Sequence, residues 1–268
     1  MAKRRGSLVV VGTGIECLGQ MTAGARAQLR AADKVLHVVA DPLTEREIRR
    51  LNPRSESLRG LYAIGKHRLA TYAGMAQRMI DEVHGGHRVC AALYGHPGVF
   101  AMPAHAAIRI LRDEGYRARM LPAVSADACL IADLGVDPAA DGWQSYEATD
   151  FLLRRRKADP GAGLVLWQAG VVGCVDFPKA GVNRSNVKVL TDALLETYPG
   201  RHLVTLYEAA TLPGYPPVIE RFPLRTLPDA PLTSISTLYL PPARRAPVNL
   251  AVAKKLGLDP RALASCLR

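Results

Sequence analysis

The sequence has no C-x-x-C pair, and its five cysteines, Cys17, Cys90, Cys129, Cys174 and Cys266, are scattered and odd in number. That argues against a disulfide framework or a zinc site and for a reduced, cytoplasmic protein. No metal site is expected. No window approaches the roughly 18 continuous apolar residues that a spanning helix needs. A basic start, Met1-Ala2-Lys3-Arg4-Arg5, leads into an apolar run that stops at Gly12-Thr13-Gly14, short of the roughly seven or more residues of an export signal's core. Neither a membrane partner nor export is expected. Acidic residues are in deficit, 24 Asp plus Glu against 35 Lys plus Arg, which leaves a formal net charge of +11. That raises nucleic acid, an anionic membrane or an acidic partner as targets and selects none of them.

What is present is an ordinary globular composition. The 268 residues are 49% hydrophobic and 22% charged, enough for a substantial core and two domains, and incompatible with intrinsic disorder. The first half alternates short apolar runs with longer amphipathic stretches. It predicts strands over 7–12, 34–39, 88–93 and 118–122, with helices over 23–31, 70–84 and 104–114, an α/β parallel-sheet pattern. After Pro122 the texture changes. A helix over 126–134 precedes strands at 163–168, 202–208 and 236–240, a helix at 187–198 and a short amphipathic piece at 250–256. Turn clusters such as Pro213-Gly214-Tyr215-Pro216-Pro217 separate them. The expected division is an N-terminal α/β domain over 1–120, a C-terminal α/β domain over 121–243 and a tail over 244–268.

Gly12-Thr13-Gly14 follows the first strand, but the third glycine of a dinucleotide fingerprint is replaced by Cys17, and Asp41-Pro42 lies beyond the second strand. A tight strand-to-helix turn explains the glycines better than NAD binding. Leu93-Tyr94-Gly95-His96-Pro97-Gly98-Val99-Phe100 sits at the carboxyl end of a strand, where open α/β sheets place their ligands. His96, isolated before a proline, suits a hydrogen-bonding role better than direct chemistry. Ser125, just before an apolar run, suits a helix N-cap, and a capped helix start facing a cleft also suits a ligand carboxylate. Arg154-Arg155-Arg156 reads as a solvated loop, with a peptide-binding role as the alternative.

Gly12-Thr13-Gly14, Gly95-x-Pro97-Gly98 and Pro122-Ala123-Val124-Ser125-Ala126, taken in order, resemble the tetrapyrrole methylases. The resemblance implies a two-domain fold with S-adenosylmethionine (SAM) in the interdomain cleft and S-adenosylhomocysteine as product. Within that class, Tyr94–Phe100, Gly115–Pro122, Ala132-Asp133-Leu134, Tyr146–Leu152 and Gly65–Tyr72 after Leu61-Tyr62 resemble the borosin peptide backbone N-methyltransferases. The resemblance runs from Leu8 to about Pro242. It implies that Gly12, Tyr94, His96, Val99, Phe100, Ser125, Ala126, Gln168, Tyr207, Ser236 and Thr237 hold SAM, and that Tyr62, Arg68 and Tyr72 surround the peptide amide. Fungal members carry their peptide fused beyond the catalytic domain. With no such extension before Arg268, the chain looks like the split type, whose precursor peptide binds in trans. A homodimer is then expected, a heterotetramer with its two precursor chains, and no nucleic acid.

A backbone amide nitrogen is a poor nucleophile, because its lone pair is delocalised into the carbonyl. Its methylation needs the N–H removed or polarised and the imidate oxygen stabilised. Arg68 and Tyr72 lie four apart in a helical stretch and can point at one spot, where a guanidinium favours a phenolate. Under the resemblance, Tyr72 with Arg68 takes the amide proton and Tyr62 donates to the developing oxygen; the two tyrosine roles can be exchanged. From spacing alone the three residues equally suit a solvated helix face. Two other functions remain open: carbon methylation of a tetrapyrrole or ribose methylation of ribosomal RNA on the same fold, and a catalytically silent peptide adaptor.

Overall fold

The structure is a computed structural model and describes residues 6–174, 176 and 181–259. Its first half contains strands β1 (Ser7–Gly12), β2 (Lys34–Val38), β3 (Ser55–Ser57), β4 (Arg88–Leu93) and β5 (Arg117–Met120). They form one sheet in the order β3-β2-β4-β1-β5, with every pair parallel. Parallel neighbours need crossovers. These are supplied by helices α1 (Ala23–Ala31), α2 (Pro42–Leu51), α3 (Arg68–His84) and α4 (Met102–Asp113).

Alternation along β1 sends Leu8 and Val10 to one face, against Met75, Met79 and Leu111 of α3 and α4. Val11 meets Leu29 and Ile48 of α1 and α2 on the other. Helices cover both faces, which makes this a doubly wound layer and leaves the carboxyl ends of the strands as the open edge.

The second half carries α5 (Ala126–Leu134), α6 (Pro138–Asp141), β6 (Trp143–Glu147), α7 (Ala148–Leu153), β7 (Gly163–Trp167), α8 (Arg184–Leu195), β8 (Leu203–Glu208), β9 (Val218–Pro223), β10 (Thr237–Leu240) and α9 (Leu250–Lys255). The sheet order is β6-β7-β10-β8-β9, parallel only between β6 and β7. One face packs Leu164, Leu166 and Leu238 against Phe151, Leu190 and Leu194 of α7 and α8. The other sets Val165, Trp167, Tyr207 and Tyr239 around Leu130 of α5. The halves meet where Cys17 N–H donates to Thr211 C=O at 2.8 Å and Phe100 approaches Trp167 at a centroid distance of 6.1 Å.

Several elements differ from the sequence expectation. α3 starts at Arg68, two residues earlier than the apolar spacing suggests, because His67 caps it by accepting from Leu69 N–H. α8 runs three residues earlier at both ends, with Asn183 as its cap. α2 was not expected, although Asp41 as N-cap and Pro42 in the first turn are start signals the sequence carries. The four described cysteines are free thiols, and Cys266 lies outside the described residues. Among the described residues, no helix is long and apolar enough to cross a membrane.

A charge cluster ties α1 to α2. Glu47 accepts from Arg26 and, at 2.7 Å, from Arg50. The Arg50 hydrogen bond, opposed by desolvation and aided by Arg26, holds the Glu47 carboxyl at about 2, below its usual 4.5. A depressed carboxylate contributes stability in full above 4.5 and loses it as the pH falls toward 2. Thermal melts from pH 6 to 2 are therefore expected to show a steeper acid loss in the native chain than in Glu47→Gln. Parallel profiles would refute a contribution from this cluster.

Candidate active site

The site begins with a backbone contact. Gly12 ends β1, and two residues on, Gly14 and Gly95 exchange hydrogen bonds at 3.3 and 2.9 Å, which fixes the β4 exit loop beside the β1 exit. Gly14 and Gly95 hold φ of +77° and +68°, angles that side chains disfavour. A Cβ on Gly12 would stand 2.1 Å from Gly95 C=O and 2.5 Å from Ala123 Cβ. Gly12 thus allows the close approach, and it does not line the cavity.

Within the loop, His96 Nδ1 accepts from Gly98 N–H at 3.0 Å, which places the ring proton of a neutral imidazole on Nε2. Its role in the turn is that of a hydrogen-bond acceptor. Phe100 follows with φ +50°, turning its ring outward toward Trp167.

These exits open onto a cavity of about 370 Å³ between the two sheets. From the first half it takes Tyr62, Tyr72, Tyr94, His96, Val99 and Phe100. From the second it takes Ser125, Ala126, Trp167, Gln168, Tyr207 and Thr237. Ser125 accepts from Ala128 N–H at 3.2 Å and caps α5, so the helix start faces the cavity. Tyr207 donates to Asp133 Oδ2 at 2.7 Å; burial, then this hydrogen bond to a carboxylate, raise its phenol far above the ordinary value.

A second groove, lined by His67, Arg68, Leu69, Glu147, Thr149 and Leu153 among others, adjoins the cavity and shares Tyr72, Phe100 and Gln168 with it. Gln168 stands at the end of β7 with φ +58°, and its Oε1 accepts from Arg68 Nη1 at 3.5 Å. Arg68 opens α3 and Tyr72 lies one turn on. Tyr62 stands outside the helix, after a 3-10 turn over Leu58–Leu61. Burial and then Tyr72 push its phenol up, against the opposing Arg68 and Arg59 guanidinium groups.

The structure therefore brings together Tyr62, Arg68, Tyr72, Tyr94, His96, Val99, Phe100, Ser125, Ala126, Gln168, Tyr207 and Thr237 around two adjoining spaces. Ser236 does not belong there. It is fully buried, donates to Glu208 Oε1 at 2.6 Å and accepts from Thr233 N–H at 2.7 Å, so it braces the turn before β10. The expected Arg68–Tyr72 pairing differs too, because the hydrogen bond of Arg68 goes to Gln168. Arg154 and Arg156 share the single carboxylate of Asp150 in an exposed loop that stays net positive. Trp167, held by its N–H on Ser145 Oγ at 2.7 Å, lines the cavity without having been expected. One of two tryptophans, at a strand's carboxyl end, was the signal available.

Among the described residues no cluster of three His, Cys, Asp or Glu side chains could hold a metal. The polar groups instead suit an organic cofactor. Aromatic faces line an apolar cavity, and a capped helix start and a few hydroxyls provide its polar contacts.

A parallel doubly wound layer, a mixed second sheet and a cavity between their edges define a two-domain α/β methylase fold. The chain belongs to the tetrapyrrole (corrin/porphyrin) methylases, whose family model matches residues 7–227. The structure resembles uroporphyrin-III-C-methyltransferase from Thermus thermophilus, with a TM-score of 0.63 at 20% identity over 97% of this chain and 100% of that one. It also resembles the methyltransferase CobJ, with a TM-score of 0.61 at 21% identity over 90% and 97%.

In sequence, it is 46% identical over 259 residues to a methyltransferase/ribosomally synthesized type III borosin cyclic peptide precursor of Anomoporia bombycina, covering 95% of this chain and 30% of the relative. It is 43% identical over 261 residues to the methyltransferase/omphalotin A precursor of Omphalotus olearius, covering 96% and 63%. The chain thus spans less than two thirds of the length of these relatives.

Proposed function

We propose that this chain is a SAM-dependent methyltransferase that methylates backbone amide nitrogens, one after another, in a ribosomally made peptide supplied by a separate chain. The observation that carries the reading is the junction at Tyr72, Phe100 and Gln168, where the cavity suited to a cofactor adjoins a second groove of about 620 Å³ that leaves room for a separate substrate. The relatives named as methyltransferase/cyclic peptide precursors support the substrate class. Presentation in trans, a homodimer carrying two precursor chains and a cytoplasmic setting complete the proposal.

When bound, SAM supplies an electrophilic methyl group on a sulfonium. Tyr94, His96, Val99, Phe100, Ser125, Ala126, Gln168, Tyr207 and Thr237 would hold it. The chain's own residues prepare the amide. Tyr62, with its phenol pushed up by burial, keeps its proton and donates to the developing imidate oxygen. Tyr72 accepts the amide proton, and Arg68, which lines the same groove and is steadied by Gln168 from the opposite half, orients the amide beside it.

The test is incubation of the purified protein with SAM and the candidate precursor peptide, followed by tandem mass spectrometry. Mass steps of one methyl group, located on backbone amides, are expected. Methyl groups on side-chain atoms alone, or an unchanged peptide alongside a methylated tetrapyrrole or RNA ribose, would overturn the reading.

A further inference from the structure

Helix α4 is amphipathic with an unusual outer face. Its buried side is Pro103, Ala104, Ala107, Ile108 and Leu111. On its other side His105, Arg109 and Arg112 follow Met102 at helical spacing and line one continuous groove. At Arg112 that groove meets a second one, lined by Ser7, Tyr116, Arg117 and Arg119 along β5. β5 is the edge of its sheet. Arg112 covers part of that edge by donating from Nε to Ala118 C=O at 2.7 Å, which disfavours addition of a further strand.

The charge along this track is nearly all of one sign. Among the described residues lining the two grooves, Asp113 is the single carboxylate. Arg109, Arg117 and Arg119 are exposed, and none has an ion pair among the described residues. The track also leads to the site, because Met102 lines both the α4 groove and the groove that holds Arg68 and Tyr72. From Met102 to Arg112 the helix rises about 15 Å, a length that about five extended residues span.

We propose that the α4–β5 face docks an acidic segment of the peptide substrate, separated by about five or more residues from the amide being methylated. The inference rests on the peptide reading above and names how that peptide is held. Anchoring outside the reacting groove lets one docked chain offer successive amides without a fixed sequence at the site. An acidic peptide suits the face better than single-stranded RNA. Of the two rings lining these grooves, Tyr116 is half-buried against His84 at 5.4 Å and His105 is held by its Nε2 on Gly98 C=O at 2.9 Å, so no free Phe, Tyr or Trp stacking platform is present.

Fluorescence anisotropy without SAM tests this separately from catalysis. The probes are labelled synthetic peptides that join a Gly/Ala/Val stretch through a Gly/Ser spacer to four glutamates at either end, with glutamine counterparts as the neutral pair. The glutamate probe is expected to bind at least about tenfold tighter than the glutamine probe at low salt, with the difference shrinking as salt rises. Arg109→Glu with Arg117→Glu and Arg119→Glu should abolish the difference, while the triple lysine variant retains most of it. SAM affinity by calorimetry should stay at the native value in both variants.

Equal binding of the two probes, or undiminished glutamate-probe binding by the triple glutamate variant, would overturn the proposal. So would a labelled uridine oligonucleotide that alone loses binding in that variant. If docking holds while no peptide is methylated, the functional reading fails and the docking surface stands.

Discussion

Tyr72→Phe is expected to lower peptide methylation by about 10²- to 10⁴-fold, the usual contribution of a positioned proton acceptor, while SAM binds as before. The phenol oxygen is the atom assigned to the amide proton. Its ring lines the boundary between cavity and groove, and phenylalanine preserves that ring while removing the acceptor. Arg68→Ala is expected to have a comparable effect, because the guanidinium lines the groove beside Tyr72 and joins the halves through Gln168 Oε1.

Tyr62→Phe should be milder in comparison. It removes one donor to the imidate oxygen, and the buried phenol it replaces holds its proton throughout the neutral range. The measurements are single-turnover methyl transfer by mass spectrometry and SAM affinity by calorimetry, taken on the same preparations. Full activity in Tyr72→Phe would remove Tyr72 as the base and move that role to Tyr62. Loss of SAM affinity in Arg68→Ala would show instead that Arg68 serves the cofactor.

The second large effect is structural and falls on Gly12→Ala. The added methyl carbon would lie 2.1 Å from Gly95 C=O, 2.5 Å from Ala123 Cβ and 2.8 Å from Pro97 Cδ. None of these is the end of a flexible side chain that can swing aside. The β1 exit and the Gly95–Pro97 turn must therefore separate, straining the paired hydrogen bonds between Gly14 and Gly95. Overpacking of this kind costs about 1–3 kcal/mol, or about 2–5 °C in melting temperature for a chain of this size.

Because the same turn carries Tyr94 and His96 into the cavity, SAM affinity should fall with stability. Gly60→Ala is the control, since a Cβ there meets nothing within 4 Å. Calorimetric melting of both variants decides the point. A native melting temperature in Gly12→Ala would show that the close approach relaxes freely.

How much of this was readable from the sequence depended on the local signal. β1, α1, β4 and α5 match their expected bounds, because each joins a clear apolar period to a turn or cap, such as Thr22 before α1 and Ser125 before α5. β3 is three polar, half-buried residues with no period to detect. β9 is an edge strand exposed along most of its length, and two prolines precede it; its existence follows from pairing with β8. β6 was missed because its residues are mostly half-buried, with no apolar alternation.

The site divides in the same way. The β4 exit loop announced itself through Tyr94–Phe100, and Ser125 through its position before an apolar run. Ser236 and Thr237 are neighbours in sequence, yet only Thr237 lines the cavity, while Ser236 turns into a hydrogen-bonded brace. No local pattern separates them, since which side of a turn faces a cleft is set by the packing of the other domain.

By itself, the sequence determined the family, the two-domain α/β class, the glycine-dependent turns and most of the aromatic and polar residues that line the cavity, Trp167 excepted. These are encoded locally, in period, caps and motif order. The tertiary structure alone decided that the hydrogen bond of Arg68 goes to Gln168, a hundred positions away in the chain, and that Gly12 supports the cavity from behind. It also decided that the arginines of α4 and β5 form one track leading to the groove lined by Arg68 and Tyr72. Each of those facts is a distance between elements far apart in the chain, and such distances exist only once both sheets have packed.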